Sequence, residues 1–304
     1  MGTCDGGSAG IVMLPNFIII GAAKAGTTAL YWYLAEHPAV FMSPVKETNY
    51  FAYGLDDRGR LLYGNPDVHR FPVKVLTDYE RLFAQAGGAT AVGEASPIYL
   101  ECPQAAGRIR ERLPAARLIC SLRHPVDRAY SNYLMALRHQ GRRFDPSRDL
   151  TSRPDWAHPD RHWMRISRYH EQLTRYFDAF PGDQIHVGLF DDLKRDPVGF
   201  TQGVYRFLGI DPAFVPDVAT PHAPGGLPVN RTLENFLTSR VIRYTVKPWL
   251  PVRAANWVRR LRTRNMRQAP PLPAELRQEL TAQFREDITR TSQLIGRSLD
   301  HWLA

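Results

Sequence analysis

Gly21 and Gly26 bracket four residues in the run Gly21-Ala22-Ala23-Lys24-Ala25-Gly26-Thr27-Thr28. A glycine-bracketed loop of this length turns backbone N–H groups toward an anion, and a helix starting behind it adds its positive end. Lys24 brings a full positive charge, and Thr27 and Thr28 bring hydroxyls. In a loop that binds nucleoside triphosphates, the lysine directly follows the second glycine and a Ser or Thr comes next. Here Thr27 takes that place and the lysine lies inside the loop. The displacement sets this loop apart from that of an ATP-using kinase or ATPase.

A second set of anion donors follows in Arg123-His124-Pro125-Val126-Asp127-Arg128-Ala129-Tyr130-Ser131. Arg123 offers a planar fork of donors, and Ser131 puts a hydroxyl on the first turns of the next helix, near its positive end. Two carboxylates stand apart from these motifs. Glu47, in Pro44-Val45-Lys46-Glu47-Thr48-Asn49-Tyr50-Phe51, has the chemistry of a proton acceptor; the alternative is a surface pair with Lys46. Glu94, in Gly93-Glu94-Ala95-Ser96-Pro97-Ile98-Tyr99, reads either as lining a pocket or as a structural carboxylate at a strand end.

The elements that must position these groups are legible in the apolar pattern. Residues 16–20 form a short β-branched run bounded by Pro15 and Gly21, the profile of a buried parallel strand. A helix is expected over Thr27–Glu36, with Pro38 just beyond its end. Further strands are expected at Ala89–Gly93, Arg117–Leu122 and Ile185–Phe190. Helices are expected over Pro125–Gln140, 161–179 and 197–208, with Pro125 and Pro197 well placed at first helical positions. Strands alternating with helices predict an α/β fold, a central parallel sheet flanked by helices. Residues 141–160 and 211–230 are polar, Pro-rich and unpatterned, as lids and binding segments often are. The part from about 232 to 303 reads as helical, with no internal repeat.

The chain has 304 residues and a formal net charge of +9, carried mostly by arginine. Guanidinium groups suit phosphate and sulfate, although solvated arginines account for much of such an excess. No zinc-finger spacing, RNA-recognition signature or basic-aromatic repeat points to nucleic acid. Cys4, Cys102 and Cys120 are an odd, scattered set, which argues against a disulfide framework and for a reducing compartment. No apolar stretch approaches the roughly 20 residues of a membrane span. Residues 1–14 are expected to be a flexible leader, 15–304 a single domain, and the protein cytoplasmic. No His/Cys/Asp cluster has metal-ligand spacing, and no Gly-x-Ser-x-Gly elbow appears. His37 and His124 read as structural.

The Lys24-Ala25-Gly26-Thr27-Thr28 run after a strand resembles the 5′-phosphosulfate loop of sulfotransferases that use 3′-phosphoadenosine-5′-phosphosulfate (PAPS). Arg123 and Ser131 resemble that family's 3′-phosphate motif. The Lys46-Glu47…Tyr50-Phe51 segment resembles the one in heparan-sulfate-type members whose Glu is the proposed base. Gly93–Tyr99 resembles an acceptor-lining segment, with Ala95 where a Lys often follows the Glu. The last helix and its Leu294–Trp302 ending are similar to those of many bacterial members.

The resemblance implies a P-loop nucleotide-kinase-like sulfotransferase fold. It implies nucleotide contacts from Ala23, Lys24, Ala25, Gly26, Thr27, Thr28, Arg123, Ser131 and, in a closing loop, Arg231. It implies Lys24 and Glu47 as catalytic residues, and Lys46, Glu94 and Tyr99 as acceptor-lining ones. PAPS would be the donor, leaving adenosine 3′,5′-bisphosphate (PAP), with no metal required. The acceptor would be a hydroxyl or amine on a small molecule or glycoside. Arg128 fits internal pairing better than ligand contact. Two rivals stay open: a P-loop kinase with Asp191 as a magnesium ligand, and a non-catalytic binder of a 3′,5′-bisphosphorylated nucleotide. Oligomeric state is not legible.

Overall fold

Phe17, Ile18, Ile19 and Ile20 are completely buried, so the first apolar run sits at the centre of the fold. The computed structural model describes residues 13–64, 70–140, 146, 162–219, 226–238, 261 and 264–304. These form two compact units. The first holds the described residues up to Arg123 together with Glu171–Val218; the second holds those of His124–His170 and Ala219–Ala304.

The first unit carries a five-stranded sheet. Its strands are β1 (Phe17–Gly21), β2 (Val40–Met42), β3 (Ala91–Ala95), β4 (Arg117–Leu122) and β5 (Ile185–Leu189). They lie in the order β2-β3-β1-β4-β5, and every neighbouring pair is parallel. β1 and β3 are buried along their whole length, as strands covered on both faces must be. Each fully buried Ile or Leu contributes roughly 1.5–3 kcal/mol of hydrophobic stabilisation. From β1 the chain moves outward to β2, and from β4 it moves outward the other way to β5. That reversal makes the carboxyl ends of β1 and β4 the switch point, where open α/β sheets bind ligands.

Helix boundaries follow local chemistry. Helix α1 (Thr27–Ala35) starts directly after Gly26, whose φ of 86° suits glycine. The helix Pro197–Leu208 opens with Asp196 accepting a hydrogen bond from the Gly199 N–H at 2.9 Å, and it closes at Gly209 with φ 72°.

The observed strands begin and end close to the expected ones. β3 starts at Ala91 instead of 89 because the Ala89 N–H is taken by a turn bond to Ala86. β5 stops at Leu189 because Phe190 opens the helix Phe190–Arg195. Three-residue β2 shows no periodicity in the sequence and was not anticipated.

In the second unit, His124 caps the helix Pro125–Gln140. Its Nδ1 accepts the Val126 N–H at 3.2 Å and its Nε2 donates to the Trp302 carbonyl at 2.9 Å, which defines the Nε2–H tautomer. Arg128 is buried, with Nε donating to Ser167 Oγ at 2.7 Å and Nη2 to the Trp163 carbonyl. The expected helix at 161–179 divides into His162–Arg165 and Tyr169–Ala179. Asp287 causes the break, because its carboxylate takes the N–H groups of Tyr169 and His170 and so starts a new helix.

The helices Arg231–Thr238 and Ala274–Leu294 stand in the C-terminal part. So does an antiparallel pairing of Leu227–Pro228 with Met266–Arg267, two-residue strands too short to leave a pattern in the sequence. Residues 1–12 and, apart from 146, all of 141–160 lie outside the described residues. Among the described residues no helix is long and apolar enough to cross a membrane.

Candidate active site

The sheet brings the motif loops to one edge. The loop after β1 is held to β4 by the Ala22 N–H, which donates to the Ser121 carbonyl at 2.8 Å. Within it Lys24 has φ 71° and Gly26 φ 86°, so the backbone turns through two left-handed residues before α1. A Cβ on Gly26 would come within 2.5 Å of Leu193 Cδ2 and 2.9 Å of Phe190 Cδ2, so this glycine is required for space as well as for φ. The N-cap residue of α1, Gly26, has no side chain to cap the first turn. Thr27 is buried, while Ala23, Lys24 and Thr28 are partly exposed on the loop. Uncapped N–H groups, two hydroxyls and a lysine make a donor set fitted to a phosphate or sulfate.

Arg123, just beyond β4, closes the other side. Its Nη1 donates to the Lys24 carbonyl at 3.1 Å, and its guanidinium lies over the Phe190 ring at 5.0 Å. Phe190 therefore supports Arg123 while walling in Gly26. Ser131 lies on the helix Pro125–Gln140 of the second unit, and Arg231 opens the helix Arg231–Thr238 there.

Glu47 lies beyond β2, and its N–H donates to the carbonyl of Ala95, the last residue of β3, at 3.0 Å. It has φ 64°, and Asn49 has φ 54°. A left-handed non-glycine residue costs about 1–3 kcal/mol and persists only where its surroundings impose it. The Glu47 side chain is 52% exposed and pairs with Lys46 Nζ at 2.7 Å. The surface pair foreseen from the sequence is thus present, and it sits at the same sheet edge as the anion loop.

Glu94 and Tyr99 are wholly buried. Four hydroxyls donate to the Glu94 carboxylate: Thr48 at 2.7 Å, Ser96 at 2.8 Å, and Tyr79 and Tyr99 each at 2.9 Å. Burial pushes this carboxyl above the usual carboxylate range, and the four hydrogen bonds oppose the shift. Burial, then the nearby Glu94 charge, also raises the Tyr79 and Tyr99 phenols, which keeps them protonated as donors. Of the two readings of Glu94, this geometry supports the structural one. Thr48, Ser96 and Tyr79 were not singled out in the sequence. Ser96 could have been, since it stands two residues from Glu94 and so faces the same side of an extended chain; nothing local marks Tyr79.

A profile described as the sulfotransferase family matches residues 15–214. The chain belongs to the sulfotransferase family. Among solved structures, a sulfotransferase from Alicyclobacillus acidocaldarius aligns with a TM-score of 0.70 at 29% identity, covering 96% of this chain and all of that one. The α/β architecture described above is therefore the P-loop-like sulfotransferase fold. A bifunctional heparan sulfate N-deacetylase/N-sulfotransferase 4 of Mus musculus is 26% identical across 99% of this chain, which spans 32% of the relative. The human heparan sulfate glucosamine 3-O-sulfotransferase 5 is 28% identical over 66% of this chain and 55% of its own length. This sulfotransferase chain thus spans about a third of the length of its first curated relatives.

Proposed function

We propose that this sulfotransferase moves a sulfonate from PAPS to a hydroxyl or amine on a small-molecule or glycoside acceptor. The observation that carries the reading is the Arg123–Lys24 hydrogen bond, which joins the two anion-binding motifs at the switch point of the sheet. Relatives named for N- and for 3-O-sulfonation support both acceptor chemistries. PAPS, when bound, supplies a sulfonate joined to a phosphate leaving group.

The roles of the chain's own residues follow from their chemistry. Thr27, Thr28 and the amides from Ala23 to Thr28 hold the 5′-phosphate. Lys24 meets negative charge growing on the leaving oxygen, where a preorganised cation lowers the barrier most. Arg123 binds the 3′-phosphate, and Ser131 and Arg231 are assigned to the nucleotide on their motifs alone. Glu47 takes the acceptor proton, and Lys46 adjusts the charge beside it. The exposure of Glu47 leaves it open to an acceptor, whereas the burial of Glu94 and Tyr99 directs them to support.

The deciding experiment incubates the protein with PAPS and a panel of phenols, amines and glycosides in the presence of EDTA, with products read by mass spectrometry. One acceptor gaining a single sulfonate as PAP appears establishes the reading. Transfer that needs magnesium and ATP would replace it with a kinase.

A further inference from the structure

Three consecutive backbone N–H groups next to Glu47 end on hydroxyls that themselves donate to Glu94. The Asn49 N–H reaches Ser96 Oγ at 3.1 Å, that of Tyr50 reaches Thr48 Oγ1 at 3.4 Å, and that of Phe51 reaches Tyr99 OH at 3.4 Å. A hydroxyl has one proton and two lone pairs. Once Glu94 fixes where each proton points, the lone pairs are left toward the backbone. A buried carboxylate with only acceptor sites does this for several hydroxyls at once, which neither an amide nor an apolar side chain can.

We infer that Glu94 is a positioning residue for Glu47: it orients the Thr48, Ser96 and Tyr99 hydroxyls so that they clamp residues 47–51 and hold Glu47 in its left-handed conformation. The strand supplies the remaining hold, since the Glu47 N–H donates to Ala95, the neighbour of both Glu94 and Ser96. The Asn49 side chain anchors the far side, with Nδ2 donating to the Arg70 carbonyl at 2.6 Å. A carboxylate buried among aromatic rings is costly unless its bonds are used, and here three of its four donors serve this one segment. The inference rests on Glu47 being the proton acceptor.

The test is Glu94→Gln, which keeps size but replaces one acceptor oxygen with an amide donor, so that at least one hydroxyl must turn. Hydrogen exchange over residues 47–51, read by mass spectrometry, is expected to speed up about tenfold or more, while PAP affinity by calorimetry stays unchanged. With PAPS and whichever acceptor is sulfonated in the panel above, turnover is expected to fall roughly 10–100-fold, as for a small misplacement of a reacting group. The same substitution made in a Glu47→Gln background is expected to cost nothing further.

Unchanged exchange in Glu94→Gln, or a full additional loss in the double variant, would overturn the inference. Should Glu94→Gln fail to fold, Ser96→Ala removes the Asn49 partner and one of the four donors to Glu94, and must show the same local exchange. If Glu47→Gln by itself keeps wild-type turnover, the base assignment falls and Glu94 no longer positions a base, whatever the exchange shows.

Discussion

Arg123 Nη1 donates to the carbonyl oxygen of Lys24 at 3.1 Å, across the parallel pairing of β1 with β4. The bond spans 99 residues of sequence and ties the side chain of one anion motif to the backbone of the other. It also holds a lysine whose own φ of 71° is disfavoured. Arg123 therefore braces the loop, and the function proposed above would add a second task, holding an anion.

Wild-type protein is expected to bind PAP more tightly than adenosine 5′-monophosphate, and Arg123→Lys should shrink that preference. The substitution keeps the charge but loses the fork, so a charge-assisted hydrogen bond worth about 1.5–3 kcal/mol is at stake, roughly 10–150-fold in affinity. Calorimetry with both nucleotides measures it. An unaltered preference would move the 3′-phosphate away from Arg123.

Lys24→Ala should damage turnover more than nucleotide affinity. The charge is proposed to matter most as the leaving oxygen becomes negative, which happens only in the transition state. Steady-state kinetics beside PAP calorimetry separates the two. Normal kcat with only a raised KM would reduce Lys24 to a binding residue.

Glu47→Gln should retain the fold and PAP binding yet lose about 10²–10⁴-fold in acceptor sulfonation, the usual contribution of a positioned general base. Gln keeps the shape and a hydrogen bond while removing the charge that accepts a proton. Thermal unfolding serves as the control for fold. Near-normal turnover in this variant places the base elsewhere.

Stability should fall as pH drops below neutrality, in part through His186. This residue of β5 packs against the Phe200 and Phe207 rings, and burial lowers its pKa from 6.5. The unfolded chain then takes up a proton near 6.5 that the folded chain refuses until lower pH. Between the two values stability rises with pH and is lost on acidification. Urea unfolding at about pH 7.5 and 5.5 should show a smaller difference in His186→Gln than in wild type. Equal differences would exclude His186 as a source.

Much of this protein is written locally in its sequence. The run 16–20 has to be a buried strand because five apolar, largely β-branched residues lie between Pro15 and Gly21. Gly21 and Gly26 with Lys24, and Arg123 with Ser131, stand at strand–helix junctions, where such residue types lead one to expect anion chemistry. The family likewise follows from these motifs, all of which lie within the matched residues 15–214. What tertiary structure alone decided is which groups meet. Strand order placed the carboxyl ends of β1 and β4 side by side, and no local pattern encodes strand order. Phe190 props both Arg123 and Gly26 from a helix far along the chain. Tyr79 reaches Glu94 from 15 residues away and Thr48 from 46, through contacts that exist only once the sheet has formed. A carboxylate read from its neighbours in sequence looks the same whether it faces an acceptor or the core. Burial separates the two, and burial belongs to the whole fold.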